Sequence, residues 1–241
     1  MTTNASIMQS MRLPFLVLTP VCVLLAVAIA INNGDDFSYP YSFICLVGAV
    51  AAHIAVNVIN EYQDFNSGLD FKTTRTAFSG GSGLLPSNPH LATRVLATCV
   101  LSLLLTVSVG CFFIFVYSWQ VLPFGLLGLL IIVTYTKWIN RNAVLCLVSP
   151  GLGFGTLMIG GSYFCITGNY ENSMWVLTII PFLLINNLLL LNQFPDIDAD
   201  KSIGRNHFPI KYGIQASTMV YALFLISALS YNWQRLVQHQ F

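Results

Sequence analysis

Asn60-Glu61-Tyr62-Gln63-Asp64-Phe65-Asn66-Ser67-Gly68-Leu69-Asp70 closes one long apolar run of this chain, and Asn192-Gln193-Phe194-Pro195-Asp196-Ile197-Asp198-Ala199-Asp200 closes another. Together they hold six of the nine acidic residues in a sequence of 241. A carboxylate at the end of a membrane span is costly unless water, a cation or a metal compensates it, so two such concentrations point to a functional site. The compensation that suits them is a divalent cation holding an anionic substrate.

The rest of the composition agrees with that setting. The chain is 56% hydrophobic and 8% charged, against about 25% charged residues in an ordinary soluble domain, and its mean hydropathy is +0.72. It reads as an all-α, polytopic transmembrane helical bundle forming one domain over residues 1–241. Six cysteines, at 22, 45, 99, 111, 146 and 165, lie in apolar segments without CxxC or Cys/His ligand spacing, and read as small buried hydrophobes. The formal net charge of +1 leaves no basic surface for a nucleic-acid backbone.

A helical span needs about 17 to 25 apolar residues. Seven stretches qualify: 13–31, 41–61, 95–117, 119–136, 144–166, 174–192 and 214–232. With the N-terminus cytoplasmic, Arg12, Lys72, Arg75, Arg94, Lys137, Arg141, Lys201, Arg205 and Lys211 all fall inside and only Arg235 outside, which satisfies the positive-inside bias. Both acidic clusters then lie on the cytoplasmic side, where they can share one site. Ala28-Ile29-Ala30 offers a small-residue cleavage pattern, but the run before it exceeds the roughly 7 to 15 residues of a signal-peptide core. The two long connections, 62–94 and 193–213, begin at the acidic clusters. Each half of the chain has an Asn/Asp-rich span end followed by a basic, Gly-containing loop, an echo suggestive of duplication.

Residues four apart share a helix face. His53, Asn57, Glu61 or Asn60, and Asp64 therefore form a polar stripe at the end of the second span, and Asn192, Asp196 and Asp200 a second stripe at the end of the sixth. Converging carboxylates suit Mg²⁺, a hard cation that takes oxygen ligands, keeps several waters and bridges to substrate phosphates. Lys72 and Arg75 follow the first cluster, Lys201 and Arg205 the second, and Lys137 and Arg141 lie in the short loop between them. These cations could neutralise a departing diphosphate, or simply obey topology. Phe78-Ser79-Gly80-Gly81-Ser82-Gly83 could wrap an anion with backbone N–H groups or serve as a flexible turn; it lacks the Gly-Lys-Ser/Thr ending of a P-loop. Asn186, Asn187 and Asn57 either line a cavity or bond between helices.

At these residues the chain resembles the UbiA superfamily of intramembrane prenyltransferases. The first cluster is similar to its Asn-(Asp)-x-x-Asp motif in the variant where the last Asp follows the Asn by ten residues, as Asp70 follows Asn60. That variant is typical of the 1,4-dihydroxy-2-naphthoate polyprenyltransferase branch. The second cluster, continuing through Lys201-Ser202-Ile203-Gly204-Arg205 to Pro209-Ile210 and Gly213, resembles N-x-x-x-D-x-x-x-D-x-x-x-G-[KR] followed by P-[IV]-x-x-G. The likeness runs from about Arg12 to the seventh span.

The resemblance implies Mg²⁺ held by Asn60, Asp64, Asp70, Asn192, Asp196 and Asp200. It implies a polyprenyl diphosphate bound through Asn60, Lys72, Arg75, Asn192, Lys201 and Arg205, with Asp64, Asp196, Arg75 and Lys201 the residues that drive ionisation. The allylic cation would be captured by an aromatic acceptor, with Phe78, Tyr62 and Tyr135 as candidate π neighbours. The expected partners are membrane lipid, polyprenyl diphosphate and 1,4-dihydroxy-2-naphthoate, in menaquinone synthesis at a bacterial inner membrane. Three features depart from the family pattern. Glu61 stands where an Asp is usual, Phe154 where a Glu is common, and seven spans are counted where the family usually has nine, which leaves a homo-oligomer, a truncated chain and a weakened enzyme as readings. Other acceptors such as 4-hydroxybenzoate, a terpene cyclase, an inactive relic and a cation transporter are the competing readings.

Overall fold

The computed structural model describes residues 6–76 and 79–238, with side chains described up to Tyr231. Phe78 and the side chain of Arg235, both named above, lie outside that description. Helices follow one another in the order α1 (Leu18–Asn33), α2 (Tyr39–Ser67), α3 (Leu84–Ser87), α4 (Ala92–Val116), α5 (Leu122–Thr134), α6 (Ala143–Pro150), α7 (Ile159–Thr167), α8 (Asn172–Leu177), α9 (Ile179–Gln193), α10 (Ile197–Ser202) and α11 (Phe208–Gln238). No strand occurs among the described residues.

Among the described residues, six apolar helical stretches are long enough to cross a membrane: Leu13–Asn33, Tyr39–Ser67, Pro89–Val116, Ala143–Thr167, Asn172–Gln193 and Phe208–Tyr231. The seventh expected span forms as a shorter apolar helix, Trp119–Thr134. The expected boundary of the second span was short. α2 continues through the first acidic cluster to Ser67 and stops at Gly68, whose φ of 78° is the left-handed helix cap that glycine adopts without strain.

The second cluster is built differently from the single stripe expected of it. Pro195 has no N–H to continue the ladder, so α9 ends at Gln193 and the chain turns before α10. Asn192, Asp196 and Asp200 therefore reach the site from three successive pieces of chain.

A break of another kind lies at the end of α6. Pro150 cannot donate, and the Gly151 N–H is taken by the Asn186 side-chain oxygen of α9 at 2.6 Å. With two ladder positions lost, the chain continues as a π-helix over Gly151–Met158 before α7. Gly155 permits the close approach to α9, because a Cβ there would lie 2.5 Å from the Phe182 backbone nitrogen.

In the bundle, α2 packs along α4, α11 and the π-helix lie on α9, and α1 packs against α7. Small residues set these distances, as is usual when no hydrophobic force separates helix from lipid. Cys22, Ala26 and Ala30 of α1 meet Ile159, Tyr163 and Ile166 of α7. Five cysteines are buried and Cys111 is exposed, and all six are free thiols.

Candidate active site

Asn60 and Asp64 are one helical turn apart on α2 and face a polar cavity of about 130 Å³. Asp70, Asn192, Asp196 and Asp200 line the same cavity, together with Arg12, Arg205, Tyr135 and His207. All six oxygen-bearing side chains expected to hold the metal are thus gathered around one space. Four carboxylates against two guanidinium groups leave its wall with an excess of negative charge.

The acids divide into two kinds. Asp64 and Asp200 bracket Arg205: the guanidinium donates to Asp64 Oδ1 and, at 2.8 Å, to Asp200 Oδ1. The other Asp200 oxygen is 3.0 Å from His207 Nε2. Burial alone would lower the Arg205 pKa, but the two carboxylates raise it above its ordinary value. Asp70 and Asp196, in contrast, each keep a buried carboxylate oxygen, Oδ2 and Oδ1, with no hydrogen-bond partner. Burial, followed by repulsion from Glu61 and Asp64, pushes the Asp70 carboxyl up to about 7. Asp196 is raised by burial and by Asp200.

Buried carboxylate oxygens without a donor, in a wall whose other oxygens come from amides and acids, fit a hard cation such as Mg²⁺. Among the described residues no three of His, Cys, Asp and Glu already form a closed cage. An ion that keeps its waters and shares a substrate's phosphates needs no such cage.

Arg12 is the residue that sequence reasoning left among the topological charges. Its backbone is left-handed, φ 52° and ψ 56°, a region that non-glycine residues rarely enter. Next to it, the Met11 carbonyl accepts a 2.9 Å hydrogen bond from Asn57 of α2, which fixes this turn beside the acidic helix. The Arg12 guanidinium then lies 3.9 Å from Glu61. His207 was also missed. Its signal was its position two residues after Arg205.

Of the loop cations expected at the diphosphate, Arg205 lines the cavity and the others sit elsewhere. Lys72, Arg75 and Lys201 are exposed and are not among the residues lining the cavity. Lys72 Nζ instead donates to Ser202 Oγ at 3.2 Å, joining the two long connections. The Arg75 side chain lies over Gly83, where a Cβ would come within 2.5 Å of its Cζ. Lys137 and Arg141 are exposed as well. Tyr62 packs in the apolar cluster of Val58, Leu84 and Leu85, and among the described residues Tyr135 is the π candidate that lines the cavity.

Behind the polar chamber lies an apolar cavity of about 660 Å³, walled by residues from α1 to α9. Arg12, Asn60, Tyr135, Leu189 and Asn192 line both chambers. Phe154 faces the apolar chamber, its ring edge-on to His53 at 4.6 Å. His53 in turn has Nδ1 2.8 Å from the Thr19 hydroxyl.

The UbiA prenyltransferase family matches residues 19–237, which is nearly the whole chain. This chain belongs to that family. It is 26% identical over 231 residues to UbiA prenyltransferase domain-containing protein 1 of Dictyostelium discoideum, an alignment covering 90% of this chain and 66% of that protein. It is 28% identical over 187 residues to 1,4-dihydroxy-2-naphthoate octaprenyltransferase of Bacillus subtilis, covering 75% and 57%. The enzyme of the same name from Haemophilus influenzae is 24% identical over 208 residues, covering 83% and 66%. The chain thus spans 57% to 66% of the length of these curated relatives. A UbiA homolog from Archaeoglobus fulgidus, solved bound to DMAPP and Mg²⁺ and again bound to GPP and Mg²⁺, shares the fold. Each comparison has a TM-score of 0.69 and 14% identity, covering 92% of this chain and 76% of that one. With six membrane-length apolar helices, this UbiA-family chain is an integral membrane protein.

Proposed function

We propose that this protein is a Mg²⁺-dependent intramembrane prenyltransferase that moves a polyprenyl group from its diphosphate to an aromatic acceptor. The observation that carries the proposal is the pair of adjoining chambers. A polyprenyl diphosphate has a small, highly charged head and a long apolar tail. The structure offers a carboxylate-lined chamber of about 130 Å³ and an apolar one of about 660 Å³ with five wall residues in common.

In this reading Asp70 and Asp196, each with one unpartnered oxygen, and Asp64, Asp200, Asn60 and Asn192 would hold Mg²⁺. Bound there, the metal would supply Lewis-acid stabilisation of charge on the diphosphate oxygens. Arg12 lines both chambers, so it adds positive charge at their junction as the bond from the prenyl carbon to the bridging oxygen breaks. Arg205, held by Asp64 and Asp200, adds a second fixed positive charge. The apolar chamber keeps water from the allylic cation, and the Tyr135 ring at the junction offers it a π face. The electron-rich ring of the acceptor then forms the new carbon–carbon bond and regains aromaticity by losing the group on the attacked carbon, either a proton to the departed diphosphate or, where that carbon bears the carboxylate, carbon dioxide.

The named relatives support 1,4-dihydroxy-2-naphthoate as the acceptor. The distribution of basic residues supports placing the N-terminus and both acidic loops in the cytoplasm. The test is turnover by the purified protein in detergent with Mg²⁺, a labelled polyprenyl diphosphate and either 1,4-dihydroxy-2-naphthoate or 4-hydroxybenzoate. Prenylated naphthoquinol that disappears with EDTA is the expected product. A folded protein that releases diphosphate but prenylates neither ring would overturn the acceptor assignment.

A further inference from the structure

Glu61 sits in the middle of the first acidic cluster, yet it is not among the residues lining the polar cavity. It is fully buried. One carboxylate oxygen accepts the Ser82 N–H at 3.0 Å and the other accepts the Ser82 hydroxyl at 2.5 Å. The geometry of α2 explains the division of labour: successive residues are about 100° apart around a helix, so Asn60 and Asp64 face the cavity while Glu61 points to the adjacent side.

The segment that Glu61 holds crosses the cavity. Ser79, Gly80 and Gly81 line it alongside Asp70 and Asp196, and the Gly80 backbone favours the charged form of Asp196. Gly81 lies so close to Asp70 that a Cβ would stand 2.7 Å from Oδ1. Gly80, Gly81 and Gly83 all have positive φ, the conformation that glycine adopts most readily. Residues 79–83 are therefore a strap that lines the cavity beside an acid of each cluster and is tied to α2 through Ser82.

We infer that Glu61 is a positioning residue and not a metal ligand: it latches the glycine strap 79–83 across the polar cavity and so holds the Gly80 and Gly81 backbone against Asp196 and Asp70. The inference rests on reading that cavity as the metal and diphosphate site. Its longer arm matters here, because the carboxylate must reach Ser82 from a helix whose cavity-facing positions are already filled. A charged acceptor makes both bonds roughly twice as strong as neutral ones.

The test separates this role from ligation and needs no turnover. Amide hydrogen exchange and Mn²⁺ binding are measured in detergent on the wild-type chain and on Glu61→Ala, Glu61→Gln, Ser82→Ala and Asp196→Asn. The latch predicts that Glu61→Ala speeds exchange across 79–85 at least tenfold while the middle of α4 stays protected. Glu61→Gln, which keeps an oxygen for the Ser82 N–H, should restore most of the protection, and Ser82→Ala should give an intermediate effect. Mn²⁺ affinity should stay within about threefold of wild type in all three and fall at least tenfold only in Asp196→Asn. The inference is overturned if Glu61→Ala and Ser82→Ala leave the strap protected, or if Glu61→Gln loses Mn²⁺ as Asp196→Asn does. Failure of Asp196→Asn to weaken Mn²⁺ while the strap still opens in Glu61→Ala would count against the cavity as a metal site and leave the latch standing.

Discussion

Lowering the pH from 8 to 6 should release a divalent cation from the polar cavity. Burial and the neighbouring carboxylates hold the Asp70 carboxyl at about 7, and a carboxylate must lose its proton before it binds metal. A group with that pKa is about nine-tenths ionised at pH 8 and about one-tenth ionised at pH 6, so affinity that depends on Asp70 falls roughly tenfold over the interval. The raised Asp196 adds to the slope in the same direction. Titration calorimetry with Mn²⁺ in two buffers of different ionisation enthalpy reads both the affinity and the proton released on binding. Asp70→Asn should bind more weakly at pH 8 and show a flatter pH dependence. Equal affinity at pH 6 and pH 8, or an undiminished slope in Asp70→Asn, would refute the reasoning. The metal-free protein should behave in the opposite sense. Because the folded-state pKa of Asp70 lies above its ordinary 3.8, its folded state binds more protons than the unfolded state between those values. Stability without metal should therefore rise as the pH falls from about 7 toward 4.

Asp64→Ala and Asp196→Ala should each lower turnover by about 10²- to 10³-fold while circular dichroism shows a folded helical protein. Gly128 lines the apolar chamber, and a Cβ there meets nothing within 4 Å. Gly128→Leu should therefore fold normally, raise KM for long polyprenyl diphosphates about tenfold, or ~1.4 kcal/mol, and leave a five-carbon diphosphate nearly unaffected in a steady-state assay. Gly151→Ala should place a methyl group 2.3 Å from the Phe182 carbonyl oxygen. The enforced shift of the π-helix from α9 should cost about 1–3 kcal/mol, seen as a lower thermal midpoint in detergent.

The acidic clusters were legible because charge is scarce in this sequence, so six acids at two span ends stand out without any structure. Their convergence on one cavity follows from placing both loops on one face of the membrane. Three parts of the site were not legible. Arg12 precedes an apolar run, where an interfacial arginine is ordinary; only the left-handed turn and the Asn57 bond to Met11 bring it to the chamber junction. Glu61 carries the same charge as Asp64, and only helix phase together with the position of Ser82 separates a latch from a cavity wall. Lys72, Arg75, Lys201 and Arg205 all follow an acidic cluster closely enough to meet a diphosphate, yet only Arg205 of the four lines the cavity. Short separation along a loop does not fix which way a long side chain turns, and Lys72, Arg75 and Lys201 are exposed and do not line the cavity. The interrupted helices were half legible: Pro195 and Pro150 announce broken ladders, but the π-helix also needed Asn186 to capture the Gly151 N–H.

The central claim is that one substrate spans two chambers, charged head in one and prenyl tail in the other. It is tested most directly by a structure of the full chain with Mg²⁺ and a non-ionisable thiolodiphosphate analogue of a polyprenyl substrate. The account predicts metal and diphosphate among Asp64, Asp70, Asp196 and Asp200, with the first prenyl carbon at the level of Tyr135 and the tail between α2, α5 and the π-helix. A tail lying outside the bundle, or a diphosphate held at Lys72, Arg75 and Lys201 away from the carboxylates, would contradict it.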